Sequence, residues 1–375
     1  MRTMNEHLLL QGGEPSAQLE GYRKGYSVGR REGYRLGFSD AVIRSLPKEE
    51  EQVRDLRILY VTAGIGVPYP ALDQAVTDAL KGLVRSLTVA SPSEDIVHLA
   101  KEFQPDLVLA LNGVVLEADT LKALRDSGFK TAIWFTDDPY YTDWTVSIAP
   151  RYDYIFTLES NCVSFYRDLG CEHVYHLPFA VNPNVFHPKH VPTSNQTDIC
   201  FIGTAYWNRV ELMDRLAPIL NNKKVLISGW WWDRMKHYAQ LSDKIKLGDW
   251  MTPEDTATYY NGAKIVINHH RSSDDDTINA NSRKVKALSV NPRTFEISGC
   301  ATLQLADIRH DMDQLYSPGT EIETYGSYDE LMDKIDYYLR HEEERQRIAL
   351  NGLMRTRKDH TYHKRLSTML RTIFP

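Results

Sequence analysis

Cysteine is scarce and unpatterned in this chain. Cys162, Cys171, Cys200 and Cys300 include no CxxC pair, which argues against a zinc site or a disulfide framework and fits a reducing compartment. Long apolar runs are missing as well. None approaches the roughly 18 residues of a membrane span, and the opening stretch MRTMNEHLLLQGGEP lacks the apolar core and cleavage site of a signal peptide. Neither sign of charge dominates. Lys and Arg number 44 against 50 Asp and Glu, a net charge of -6, so there is no general attraction to nucleic acid or acidic membranes. These absences lead us to expect a cytoplasmic soluble protein with no membrane span and no nucleic-acid partner.

What is present is alternation. The 375 residues suffice for two cores. LRILYVTAG (56–64) reads as a buried parallel strand. From 72 to 87, Leu72, Ala75, Val76, Ala79, Leu80, Leu83 and Leu87 fall on one helical face. Helix-like and strand-like segments then alternate through HVYHLPFA (173–180). VNPNVFHPKHVPTSNQ (181–196) carries three prolines and no periodicity, as a linker does. A second alternation follows, from DICFIGTAYWNR (198–209) to ATLQL (301–305), and a charged helical tail ends the chain. The expected class is α/β, with two Rossmann-like domains facing across a cleft. The boundaries are 55–182 for the first domain, 183–196 for the linker, 197–355 for the second domain and 356–375 for a C-terminal helix. Open α/β sheets take ligands at their carboxyl ends, which here means the cleft.

Four places there carry candidate chemistry. In FIGTAYWNR (201–209) a strand ends at Gly203 and a helix begins near Trp207. Glycine permits close backbone approach, a helix N-terminus offers free amides to an anion, and Arg209 adds a charged fork. The bland alternative is a plain strand–turn–helix joint with a surface arginine. In NPRTFEISGC (291–300), Arg293 and Glu296 share a helix face. They could meet an anion and a pair of vicinal hydroxyls, or merely each other. INHHRSSDDDTINANSRK (267–284) is a strand running into a polar loop. Asn268 and His269 at its strand end are placed to touch a ligand, and His269 is a catalytic candidate. The D-x-D spacing of Asp274 and Asp276 could hold a divalent cation, although loops of this composition are usually only loops. In WFTDDPYYTDW (134–144), Asp137 and Asp138 stand at a strand end. Either could take a proton from an attacking hydroxyl, or cap a turn before Pro139. Finally, SGWWWDRM (228–235) offers flat rings for a base or sugar. Three consecutive tryptophans cannot all point one way, so one at least belongs in the core.

In this order the segments resemble the CgeB-type spore-maturation glycosyltransferases, a group with the GT-B fold. WFTDDP (134–139), HLPFAVNPNVFHP (176–188), DICFIGTAYWNR (198–209), YYNGAKIVINHH (259–270), NPRTFEISGCATLQL (291–305) and HTYHKR (360–365) carry the likeness, which spans about 56–373. It implies transfer of a sugar from a nucleoside diphosphate to an acceptor, with no essential metal and no cofactor beyond the donor. A uridine diphosphate sugar is the expected donor, and a spore or cell-surface glycan or protein the expected acceptor. By position, the resemblance sends Gly203, Thr204, Arg209 and Arg293 to the diphosphate and Glu296 to the ribose. It sends Gly229, Trp230 and Asp249 to the base, and Asn268 and His269 to the donor sugar. It also implies a tail helix that crosses back onto the first domain. One departure is Gln304, which stands where retaining enzymes of this fold often carry a second glutamate. A nucleotide-sugar epimerase or a non-catalytic binding protein for surface assembly would fit the same architecture.

Outside that likeness lies GYRKGYSVGRREGYRLGFSD (21–40), with Gly21, Gly25, Gly29, Gly33 and Gly37 four apart and Tyr22, Tyr26, Tyr34 and Phe38 beside them. Five interior glycines cost a helix on the order of 4–5 kcal/mol relative to alanine, so a partner must offset them. Small residues four apart let a second helix approach closely. A self-association helix within 1–46, forming a homodimer through 17–42, is the expectation. An arm that docks to another protein or a polyanion and a disordered tail are the alternatives.

Overall fold

The computed structural model describes residues 15–47, 53–248 and 250–375. Its frame is two six-stranded sheets in which every strand pairing is parallel. The first sheet holds β1 (Arg54–Val61), β2 (Val84–Ala90), β3 (Leu107–Leu111), β4 (Thr131–Trp134), β5 (Tyr154–Thr157) and β6 (His173–His176), in the order β2-β1-β3-β4-β5-β6. The second holds β7 (Thr197–Ile202), β8 (Val225–Gly229), β9 (Ile245–Leu247), β10 (Ala263–Asn268), β11 (Leu303–Asp307) and β12 (Glu323–Tyr325), in the order β12-β11-β10-β7-β8-β9.

The apolar runs make these strands because both sheet faces are covered by helices. Along β1, Ile58 and Tyr60 enter one core while Leu59 and Val61 enter the other, as the two-residue period of a strand requires. Ile199 and Cys200 of β7 divide between two cores in the same way.

One element departs from the sequence reading. The helix expected over 72–87 covers Tyr69–Lys81, is capped at Gly82, and gives way to the edge strand β2. Leu83 and Leu87 keep helical spacing with the residues before them, yet both pack on the first core from outside the helix. The β-branched Val84, Thr88 and Val89 favour the extended form beside β1.

The chain passes between the lobes twice, and the two passages touch. The Val181 amide donates to the His360 carbonyl at 3.0 Å, and the Tyr362 amide donates to the Val181 carbonyl at 3.3 Å. Beyond this crossing the helix Tyr362–Ile373 lies on the first lobe. Its Tyr362, Leu366, Met369, Leu370 and Ile373 complete the core that contains Ile58, Tyr60, Val76 and Leu80.

The N-terminal helix Pro15–Ser45 docks on the second lobe by one side only. Arg35 donates to the Lys189 carbonyl at 2.9 Å and to Asn261 Oδ1 at 3.3 Å, and Arg31 pairs with Glu342 at 3.7 Å. The five glycines face open space, with no atom within 4 Å of where a Cβ would sit. Tyr22, Tyr26, Tyr34 and Phe38 are all exposed.

Candidate active site

In the second sheet the strand order runs outward in both directions from the neighbours β7 and β10. Crossovers leave that pair on opposite sides, which opens a crevice beyond their carboxyl ends. Gly203 follows β7 there, and His269 follows β10.

Gly203 lies beneath two guanidinium groups. A Cβ on it would stand 3.0 Å from an Nη of Arg293 and 3.1 Å from an Nη of Arg209. Arg209, in the first turn of the helix Trp207–Leu220, is only 2% exposed. It donates from Nε to the His269 carbonyl at 2.8 Å and from Nη1 to the Thr204 carbonyl at 3.1 Å. Burial, and then the like charge of Arg293, push its pKa down to about 9. Among the described residues neither arginine has a carboxylate partner. The helix Trp207–Leu220 also begins without a side-chain cap, so its first amides stay available to a ligand. Two cations pressed together over a backbone turn have the charge and geometry to take an anion.

Glycine at 229 is required by contact. A Cβ there would sit 2.3 Å from the Gly203 carbonyl oxygen, and φ is +140°. The loops after β7 and β8 therefore lie against each other. Trp232 locks them from below, its Nε1 donating to the Gly203 carbonyl at 3.0 Å. Trp232 is the core member of the tryptophan triplet, whereas Trp230 and Trp231 are exposed. Trp230 Nε1 donates to the Gly248 carbonyl at 2.9 Å. Asp249 lies outside the described residues.

Arg293 and Glu296 do not form the i,i+3 ion pair their spacing allows, because Arg293 turns over Gly203 instead. Burial raises the Glu296 carboxyl to about 7, a rise that Arg293 only partly opposes. The helix carrying both, Arg293–Gly299, is set in place by a buried amide network. Asn268 donates to Thr294 Oγ1 at 3.0 Å and to Gln304 Oε1 at 3.1 Å, and accepts from Asn291 at 2.8 Å. Gln304 donates onward to the Thr294 carbonyl and to Ser298, each at 2.7 Å. This corrects the expectation for Asn268: all its polar atoms are engaged within the lobe, so it positions Arg293 rather than touching sugar.

His269 is half-buried, and its Nδ1 shares a hydrogen bond with the Tyr325 hydroxyl at 2.7 Å. Burial lowers its pKa, so the ring is neutral. Its carbonyl, as the acceptor for Arg209, is the part that demonstrably serves the site. Behind it, His270 Nδ1 donates to Asp307 at 2.6 Å and its Nε2 accepts from the Asn291 amide at 2.9 Å. Burial pushes this imidazole down to about 4, in keeping with one donating and one accepting nitrogen.

The two aspartates of the first lobe part company. Asp138 is 1% exposed and accepts from Thr157 at 2.6 Å and Tyr166 at 2.7 Å, in the interior of that lobe. Burial raises it to about 7. It does not face the cleft, which corrects its place among the base candidates. Asp137 is only half-buried and accepts from Thr136 at 2.6 Å and Tyr69 at 2.8 Å. It opens the loop whose Tyr140 reaches the second lobe, donating to the Arg271 carbonyl at 3.0 Å.

The polar loop after His270 straps the lobes together. Asp143 accepts from the Ser282 amide at 3.0 Å, and Glu159 accepts from the amides of Leu288 and Ser289 at 2.9 and 3.0 Å. Within the loop, Asp274 pairs with Lys286 at 2.8 Å and Asp276 pairs with Lys284. Arg271 in the same segment was not singled out from sequence, yet it is buried between rings of both lobes.

A family model described as glycosyl transferase-like matches residues 209–371. The chain is similar to spore protein CgeB of Bacillus subtilis (strain 168), 30% identical over 295 residues that cover 78% of this chain and 91% of that protein. It is similar in structure to a sucrose-phosphate synthase from Thermosynechococcus elongatus, at 12% identity and a TM-score of 0.58, over 86% of this chain and 99% of the other. It is also similar to Anabaena HepE, solved in complex with UDP and glucose, at 10% identity and a TM-score of 0.59, over 85% and 99%. At such identities the structural likeness speaks for the fold.

Proposed function

The chain belongs to the CgeB-type glycosyltransferase family, with the GT-B fold, and from that premise we propose that it moves a sugar from a uridine diphosphate sugar to a hydroxyl on a spore or cell-surface acceptor. The observation that carries this reading is the pair of carboxylate-free guanidiniums over Gly203. As the bond from sugar C1 to the diphosphate oxygen breaks, charge grows on the leaving phosphate. Arg209, Arg293 and the uncapped helix end are aimed where that charge develops, so they stabilise the transition state more than the ground state. In this proposal they carry the charge a divalent cation would otherwise carry. Glu296 accepts from the ribose hydroxyls, and Trp230 with Gly229 flanks the base. Asp137 takes the acceptor's proton as the hydroxyl attacks. The complex of HepE with UDP and glucose supports the choice of nucleotide.

Incubation with a panel of nucleoside diphosphate sugars tests the proposal. Slow release of free UDP from one UDP-sugar is the expected result. A new sugar isomer with the nucleotide still attached would instead mark an epimerase, and thermal protection without turnover would mark a binding protein.

The N-terminal helix supports a homodimer through 17–42 in the same proposal, because its glycine face and its aromatic side chains are uncovered. The full chain is expected to have twice the solution mass of a monomer, and a chain lacking 1–46 the mass of one. Equal oligomeric state for the two ends the dimer proposal. No helix among the described residues is long and apolar enough to cross a membrane. The relative's name, spore protein, supports a place in spore formation, and the proposal sets the protein in the cytoplasm or on the spore.

A further inference from the structure

We propose that Arg271 forms a second anion subsite, between the lobes, for a carboxylate or phosphate carried by the transferred sugar or by the acceptor. The inference deepens the donor-site reading above and rests on it.

Arg271 is 7% exposed, and both its Nε and one Nη are buried with no hydrogen-bond partner among the described residues. Its guanidinium carbon lies 4.3 Å from the ring centre of Tyr140, on the first lobe, and 4.3 Å from that of Tyr206, on the second. Tyr141 stands at 5.3 Å. Ring faces answer to the positive charge. The in-plane N–H groups still need acceptors, and a buried cation left without them is costly. Asp307 is engaged by His270 and Arg309, Glu159 by backbone amides and Asp143 by Ser282. Asp275, in the same loop, keeps one buried carboxylate oxygen without a partner, yet neither Arg271 Nε nor its unpaired Nη bonds to it. These N–H groups are left for a ligand's acceptor.

Arg209 lies 5.1 Å from the same Tyr206 ring centre, so the two subsites adjoin, and two observations distinguish them. The like charge bearing most on Arg209 is Arg293, and that pair already matches the two charges of a diphosphate. Arg271 also packs on first-lobe rings, on the side from which an acceptor would come. The same ring system continues to Trp144, stacked on Tyr141 with centroids 4.7 Å apart and 50% exposed. A flat exposed ring beside a cation suits the face of an acidic sugar.

Calorimetric titration of the full chain tests this in two arms. The first compares UDP-glucuronate with UDP-glucose. The second, at saturating UDP, compares a galacturonate pentamer with maltopentaose. The expected result is at least tenfold tighter binding of the charged member in one arm, lost in Arg271→Gln and partly kept in Arg271→Lys. Preference in the first arm places the anion on the transferred sugar; preference in the second places it on the acceptor. UDP affinity should be equal in wild type and Arg271→Gln, which also reports folding; Arg271→Met replaces the glutamine variant if that fails to fold. If UDP binds but neither arm shows a preference, or the preference survives in Arg271→Gln, the subsite is refuted alone. If wild type does not bind UDP, the donor reading and the subsite fall together.

Discussion

Replacing Arg293 with alanine is expected to slow nucleotide release from the donor by about 10²–10³-fold, the usual loss when one preorganised donor to a developing negative charge is removed. Stability should change little, by about 0.5 kcal/mol or less. The asymmetry follows from the site. Arg293 is half-buried, lacks a carboxylate partner among the described residues, and presses its charge against Arg209 over Gly203. Removing it relieves repulsion in the free protein and takes away attraction when the diphosphate is bound. Arg293→Lys should fall between, because the charge is kept while the flat two-pronged donor is lost. Steady-state release of nucleotide, read beside a denaturant melt, separates the two quantities. Wild-type turnover in Arg293→Ala would refute the site assignment.

Gly229→Ala should act the other way, through the fold. Its Cβ would meet the Gly203 carbonyl oxygen at 2.3 Å and carbon at 2.6 Å, from a backbone at φ +140°. Those are backbone atoms, so no side chain can swing aside. Overpacking and the unfavourable φ together should cost about 2–5 kcal/mol, a clear fall in the denaturation midpoint. Gly203→Ala provides the contrast. It carries backbone strain too, at φ +156°, but its close neighbours are guanidinium ends, which can move, so its loss of stability should be smaller and should come with a loss of nucleotide affinity. An unshifted midpoint for Gly229→Ala would show that the loops after β7 and β8 are not pressed together as described.

The strands of both sheets announced themselves wherever apolar runs end in glycine or aspartate, as at β1, β4 and β7. The edge strand β2 did not, because Leu83 and Leu87 extend the spacing of the preceding helix; Gly82 followed by Val84, Thr88 and Val89 was the available signal. Gly203 and Arg209 are readable together because a strand–glycine–helix joint fixes where the carboxyl end of the strand lies; Arg293 joins them in the sequence only through the family resemblance. Two of the polar candidates turn inward for different reasons. Asn268 is the last residue of β10 and its side chain enters the buried amide network, whereas Asp138 lies in the turn after β4 and is drawn into the first lobe by Thr157 and Tyr166. Arg271 was invisible for a different reason. Its surroundings come from Tyr140 and Tyr206, far away in sequence, and nothing in a polar loop marks one arginine above another.

The return of Tyr362–Ile373 to the first lobe has a consequence for how the protein is made. Domains generally fold as units as they leave the ribosome, N-terminal ones first. Here the first lobe cannot do so fully, since five apolar side chains of its core are supplied by a helix translated after the whole second lobe. Until that helix emerges, the surface around Val76 and Leu80 stays bare to chaperones and to other nascent chains. Completion of the first half is thus deferred to the last event in synthesis.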